Sequence, residues 1–389
     1  TKQDVVDWAN KYLGPESYAI IYKREGKDPN EQKIAAPKIT PIVTNRDSQS
    51  EFLSEIQTSQ VQPIEPVFVD YKKDMSQFEA QPGIDVLYKK NETNDIFTLI
   101  YVFNTGTEND PALNLAFNYL SYLGTDKMTA EEIASEMYDI ACSFYMNAGA
   151  NQSSIQITGL SENMGKAMEI VEGLIAGAKP DEAILENCKA DMLKSRADAK
   201  LNQSRCFGAL QRYLFYGGDF IRRTTLTDPA LQALTSEQLL AKIGGLMGKQ
   251  HEVLYYGPQK EAEVKSALAE HHKVAADLQP LEKKFSTLLP TDANKVVLAQ
   301  YDAKQLYYLQ FSNRGEKFDV AADPEITLYN EYFGGGMNTI VFQEMREARG
   351  LAYTAWATLA TPSNAKGDYS YYAFIATQND KMQKAVEAF

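Results

Sequence analysis

The 389-residue chain predicts an α+β fold in which one sandwich-like unit recurs, and three observations carry that prediction. Residues 1–22 (TKQDVVDWANKYLGPESYAIIY) and 235–256 (TSEQLLAKIGGLMGKQHEVLYY) correspond at a constant offset of 234. In that pairing Val5 and Val6 match Leu239 and Leu240, Leu13 matches Met247, Gly14 matches Gly248, and Ile20 matches Leu254. Residues 97–106 (FTLIYVFNTG) resemble 306–315 (LYYLQFSNRG) at an offset of 209, and MGKAME at 164–169 resembles MQKAVE at 382–387 at an offset of 218. Small loop insertions produce a slow drift of that kind. The unit reads strand, helix, helix, strand, helices, strand; mixed elements and a tight turn that favours antiparallel pairing make each unit an α+β sandwich.

In chain order, residues 1–25 read as the C-terminal tail of a preceding unit: a helix opened by Thr1 and stopped at Gly14, then an alternating strand. Residues 26–81 read as a Pro-rich linker, because prolines at 29, 37, 41, 63 and 66 interrupt helix and sheet alike. Residues 82–290 read as a complete unit. There, residues 88–94 supply a turn between strands 85–89 and 95–103, and Thr129 with Glu132 forms a capping box ahead of Ile133, Met137 and Ile140. Ser161 is placed to cap a helix with the apolar stripe Met164, Met168, Val171 and Ile175. Residues 291–389 read as the first half of a further unit, with Pro324 opening a helix as Pro111 does in the earlier copy. The sequence therefore predicts a piece of a longer protein.

Composition narrows the function. A net charge of −13 with no basic run argues against a nucleic-acid or anionic-membrane partner. The longest strongly apolar stretch without charge, 96–103, is far too short for a membrane segment. Three cysteines at spacings of 46 and 18 fit neither a disulfide framework nor a zinc knuckle. The three histidines, His251, His271 and His272, weigh against a complete catalytic metal site, which takes about three protein ligands. Adjacent His271 and His272 point about 100° apart on a helix and read as a solvated helix end, and His251 as packing or exposed.

The most specific stretch is YFGGGMNTIVFQEMREARGLAY at 332–353. It resembles the C-terminal half of the insulinase/pitrilysin family of zinc peptidases, in which a glycine-rich loop leads into a helix, then Arg, Glu, a basic residue, Gly-Leu, a small residue and Tyr. The resemblance implies repeated α/β sandwich domains of the processing-peptidase/insulinase type, with antiparallel-rich sheets packed with helices, two domains to a half and a linker between halves. Active halves of the family carry His-x-x-Glu-His on the first helix of their first domain. The corresponding helix here, 112–123 (ALNLAFNYLSYL), has no His, Glu or Cys, and Glu186 and Asp191 downstream lack partner ligands. No metal ligand is assigned in this chain; the resemblance places zinc in the full-length protein, held by an N-terminal catalytic half.

On residue physics alone, Arg346 suits the C-terminal end of helix 338–349, whose apolar positions are Val341, Met345 and Ala348 and whose left-handed stop is Gly350; Tyr353 suits the following strand. The resemblance implies more. Arg346 would hold a peptide backbone, Tyr353 would donate to the developing oxyanion, and Gly334, Gly335 and Gly336 would approach the substrate or the facing half closely. Many relatives have Ser-Arg after the glycines, where this chain has Asn338-Thr339. The expected function is the substrate-enclosing, non-catalytic half of a zinc metalloendopeptidase. Its partners would be the N-terminal catalytic half and peptide substrates, in a bacterial periplasm or cytoplasm. The alternative is a catalytically inactive scaffold or a peptide-binding homologue of the same fold.

Overall fold

Strict alternation at Phe97, Leu99, Tyr101 and Phe103 sends every second side chain of one strand into a core where each is essentially inaccessible. The computed structural model built around that core describes residues 1–14, 16, 18–23, 26, 49–281 and 286–389. The chain divides into two units, Thr1–Val67 and Phe68–Phe389.

The first unit holds α1 (Lys2–Tyr12) and α2 (Glu51–Thr58). Thr1 and Asp4 close a capping box on α1, and the Ser50 hydroxyl caps α2. Neither helix buries a residue, and residues 18–23 carry no strand, unlike the matching stretch of the later copy. Pro63 and Pro66 lie in extended chain, whereas the prolines at 29, 37 and 41 of the expected linker lie outside the described residues.

The second unit opens with β1 (Ser76–Gln81), β2 (Ile84–Lys90) and β3 (Ile96–Phe103), followed by α3 (Leu113–Leu120), α4 (Ala130–Asp139), β4 (Cys142–Ala148) and β5 (Ser153–Leu160). Five helices come next, α5 (Met164–Gly177), α6 (Glu182–Lys200), α7 (Gln203–Thr224), α8 (Asp228–Ala233) and α9 (Ser236–Met247). Then β6 (His251–Gly257) and α10 (Glu261–His271) complete the first sandwich. Its sheet runs β1-β2-β6-β3-β5-β4. The turn at 88–94 therefore does not close a hairpin. β6 slots between β2, which it pairs in parallel, and β3, which it pairs antiparallel. Asn91 ties the turn to the inserted strand: its N–H donates to the Gly257 carbonyl (2.7 Å), and its carboxamide bridges Asn94 and Ile96. The hairpin is instead β1–β2, whose first strand lies in the stretch read as linker, and it turns at Gly83, whose φ of 90° favours glycine.

Helices cover one face of this sheet. The α5 stripe Met164, Met168, Val171 and Ile175 is buried in the core, and the Thr129–Glu132 box caps α4. Ser161 caps nothing; it begins a single 3₁₀ turn that leads into α5. His272 also departs from the solvated reading: it is buried against α5, because its imidazole has polar partners inside.

The second sandwich contains β7 (Gln305–Ser312), α11 (Asp323–Phe333), α12 (Ile340–Phe342), β8 (Thr354–Ala360), β9 (Ser370–Gln378) and α13 (Met382–Ala388). Its sheet order β7-β9-β8 repeats the β3-β5-β4 end of the first sheet, antiparallel throughout. Helix α7 joins the sandwiches with aromatic rings: Phe215 lies 4.6 Å from Phe311 and Phe207 lies 5.5 Å from Tyr307, centroid to centroid.

Candidate functional site

The glycine loop begins where α11 ends. A Cβ on Gly334 would meet the Ala357 carbonyl oxygen at 2.3 Å, so the close approach that glycine permits there is to β8 of the same chain. Gly335 donates to the Asn330 carbonyl (2.7 Å), and a Cβ on Gly336 would meet open space. Asn330 holds the opposite side of the joint, accepting from Leu359 N–H (2.8 Å) and donating to the Leu359 carbonyl (3.0 Å). Buried Thr339 closes the loop, its hydroxyl donating to the Gly336 carbonyl (2.6 Å). Asn338-Thr339 thus serves the loop's internal bonding.

The expected helix over 338–349 is regular only through α12 and then widens into a π-helix, Gln343–Ala348. The N–H groups of Leu351 and Ala352 both reach the Met345 carbonyl (2.8 and 3.2 Å), and Gly350 stops the helix at φ 56°. Val341 and Met345 are buried as their spacing predicts, but the widened turn rotates Ala348 into solvent.

This turn brings Arg346 and Tyr353 together. The guanidinium carbon sits 4.7 Å from the Tyr353 ring centroid and 5.0 Å from that of Phe342, four residues before Arg346. Arg346 is therefore held between two aromatic rings, an arrangement worth about 0.5–1 kcal/mol at an exposed site. Its ion-pair partner is Glu347, at 3.7 Å. The Tyr353 N–H reaches the Ala376 carbonyl (3.2 Å), and the Thr377 hydroxyl fixes the Leu351 carbonyl (2.5 Å), so the backbone of Tyr353 is anchored to β9. Its side chain is 70% exposed, and its hydroxyl has no hydrogen-bond partner among the described residues. A phenol donor and a cation with free N–H groups thus face one open surface. Sequence reasoning singled out Arg346 and Tyr353 but not Phe342 or the π-turn; the only signal for Phe342 was its position four residues before Arg346.

Helix α3 buries Leu113, Leu115, Ala116, Phe117, Tyr119 and Leu120, none of them a metal ligand. Glu186 pairs with Lys189 at 2.8 Å, and Asp191 borders a shallow 370 Å³ hollow with Asn118, Cys188 and Arg205. Among the described residues no cluster of three or more His, Cys, Asp or Glu could hold a metal ion, and no helix is long and apolar enough to cross a membrane. The residues at this position do not fit zinc.

Residues 250–389 match the family described as the peptidase M16 inactive domain. An uncharacterized zinc protease of Streptomyces coelicolor is 22% identical over 266 residues, which are 64% of this chain and 56% of that protein. The chain thus spans little more than half the length of that curated relative. The M16 inactive domain from Pseudomonas fluorescens superposes with a TM-score of 0.66 at 18% identity, over 81% of this chain and 78% of that one. The periplasmic protease PqqL from Escherichia coli has the same TM-score at 12% identity, over the whole of this chain and 41% of that one. At these identities the structural likeness establishes the fold.

Proposed function

We propose, because residues 250–389 match the peptidase M16 inactive domain, that this chain is the substrate-enclosing half of a zinc metalloendopeptidase and lends Arg346 and Tyr353 to peptide-bond hydrolysis. In this reading the zinc is held by the N-terminal half of the full-length protein, as the relatives named zinc proteases suggest. The carrying observation is the guanidinium stacked on the exposed Tyr353 ring, with the phenol hydroxyl left open. Arg346 binds a substrate carbonyl by charge-assisted hydrogen bonds. Tyr353 donates to the oxygen that becomes negative as the scissile carbonyl turns tetrahedral, an interaction worth about 3 kcal/mol. Gly336 leaves room for the peptide beside the loop. The proposal covers a bacterial periplasm or cytoplasm as the setting.

In the full-length protein, Tyr353→Phe should lower peptide turnover by about one to three orders of magnitude with a smaller change in KM, because the hydroxyl's partner is fully charged only in the transition state. Arg346→Ala should raise KM as well, since it removes a ground-state contact. Phe keeps the ring on which Arg346 stacks, so an unchanged Tm accompanies the loss. Wild-type turnover for Tyr353→Phe would instead favour the inactive scaffold or peptide-binding homologue.

A further inference from the structure

Tyr101, Glu172, His251 and His272 come from four segments, β3, α5, β6 and the end of α10, and all four are buried. They form one hydrogen-bonded chain. Glu172 accepts from the Tyr101 hydroxyl at Oε1 (2.9 Å) and from the Lys273 backbone N–H at Oε2 (2.7 Å), and His272 Nδ1 lies 2.7 Å from Oε1. His272 Nε2 is 2.9 Å from His251 Nε2, and His251 Nδ1 is 2.7 Å from the Lys249 carbonyl.

The direction of each bond follows from one end. A carbonyl only accepts, so His251 carries its proton on Nδ1 and offers a bare Nε2; His272 must therefore donate from Nε2. Its Nδ1 faces a carboxyl, so Glu172 and His272 share one proton and carry no net charge as a pair. The remaining walls are rings, Phe103 at 4.7 Å from His251 and Tyr101 at 4.2 Å from His272. Lys249 and Lys273 contribute backbone groups only, and His271 pairs outward with Glu270 (3.8 Å). The ionisable groups facing His251 are thus His272 and, behind it, Glu172.

His251 grips both ends of a connector. One end is His272. The other adjoins Lys249, where Gln250 N–H reaches the Gln279 carbonyl (2.8 Å) and Gln279 N–H reaches the Gly248 carbonyl (3.0 Å). We propose that this chain is an acid-released latch: while His251 is neutral it pins residues 272–279, which lead toward the second sandwich, and when His251 gains a proton it lets them go. A protonated His251 would set two N–H donors against each other across 2.9 Å.

Burial holds the latched His251 down at about 4, whereas the released imidazole returns to the ordinary 6.5. The sign follows: the latch is at full strength above pH 6.5 and weakens as pH falls toward 4. Linkage between those two values raises the opening constant about thirtyfold from pH 8 to pH 5.

Amide hydrogen exchange at Lys273 and Gln279, measured on the whole chain and corrected for intrinsic rates, tests this. The wild type should open about thirtyfold more at pH 5 than at pH 8. His251→Gln can donate to Lys249 and accept from His272 but cannot take a proton, so its opening should not vary with pH. Equal pH dependence in both proteins, or none in the wild type, overturns the latch. Should His251→Gln fail to fold, imidazole ¹⁵N titration of the wild type decides. Protonation of His251 near 4 together with lost Lys273 protection supports it; protonation near 6.5 with protection intact overturns it.

Discussion

Each sandwich passes from its second helix into a strand through one left-handed residue, Ala141 (φ 50°) in the first and Gly350 (φ 56°) in the second. What surrounds that residue differs. In the first copy α4 is regular, the residue four before the stop is buried Met137, and β4 begins at once with buried Cys142. In the second copy the helix widens into a π-turn, the residue four before the stop is Arg346, and Leu351, Ala352 and Tyr353 intervene before β8. The same local device thus builds core in one copy and presents a cation and a phenol to solvent in the other. The second copy's buried cluster is mostly alanine, with Val341, Met345 and Ile375 the larger members.

The sharpest way to break this comparison is to exchange the two helix residues. Met137→Arg should destabilise the chain by about 3–5 kcal/mol, because no partner awaits a charge in that core. Arg346→Met should cost under about 1 kcal/mol, since the cation is half exposed and only stacked. Urea unfolding of both variants measures the difference, and similar values would mean the two positions are not the contrast drawn above.

A smaller effect tests the stops. Gly350→Ala should destabilise by about 1 kcal/mol, and Ala141→Gly should stabilise by about 0.5 kcal/mol, because alanine at positive φ carries steric cost that glycine lacks. Midpoints of thermal melts, compared at equal pH, read both. The smallest expected effect is at Phe342. Its stacking on Arg346 should appear as a coupling of about 0.5 kcal/mol in a double-mutant cycle of Phe342→Leu with Arg346→Met. Zero coupling would leave the π-turn and the Tyr353 ring to position the guanidinium.

The sequence by itself determined whatever closes within a few residues or recurs along the chain. The Thr129–Glu132 box, the α5 stripe and the stop at Gly350 all depend on neighbours three or four positions away, which sequence spacing displays. The glycine loop with Arg346 and Tyr353 was singled out through the resemblance carried by the continuous run 332–353. Tertiary structure alone decided the pairings between distant segments. β2 met β6 rather than β3, and the Asn91 N–H extends that ladder to the Gly257 carbonyl. His272 turned inward because Glu172, a hundred residues earlier, waits with a buried carboxyl. Ala348 turned outward because one carbonyl, that of Met345, accepts two N–H groups and opens the helix. Each outcome rests on satisfying a polar group whose partner is fixed only once the chain has folded, and hydrophobic periodicity carries no record of such a partner.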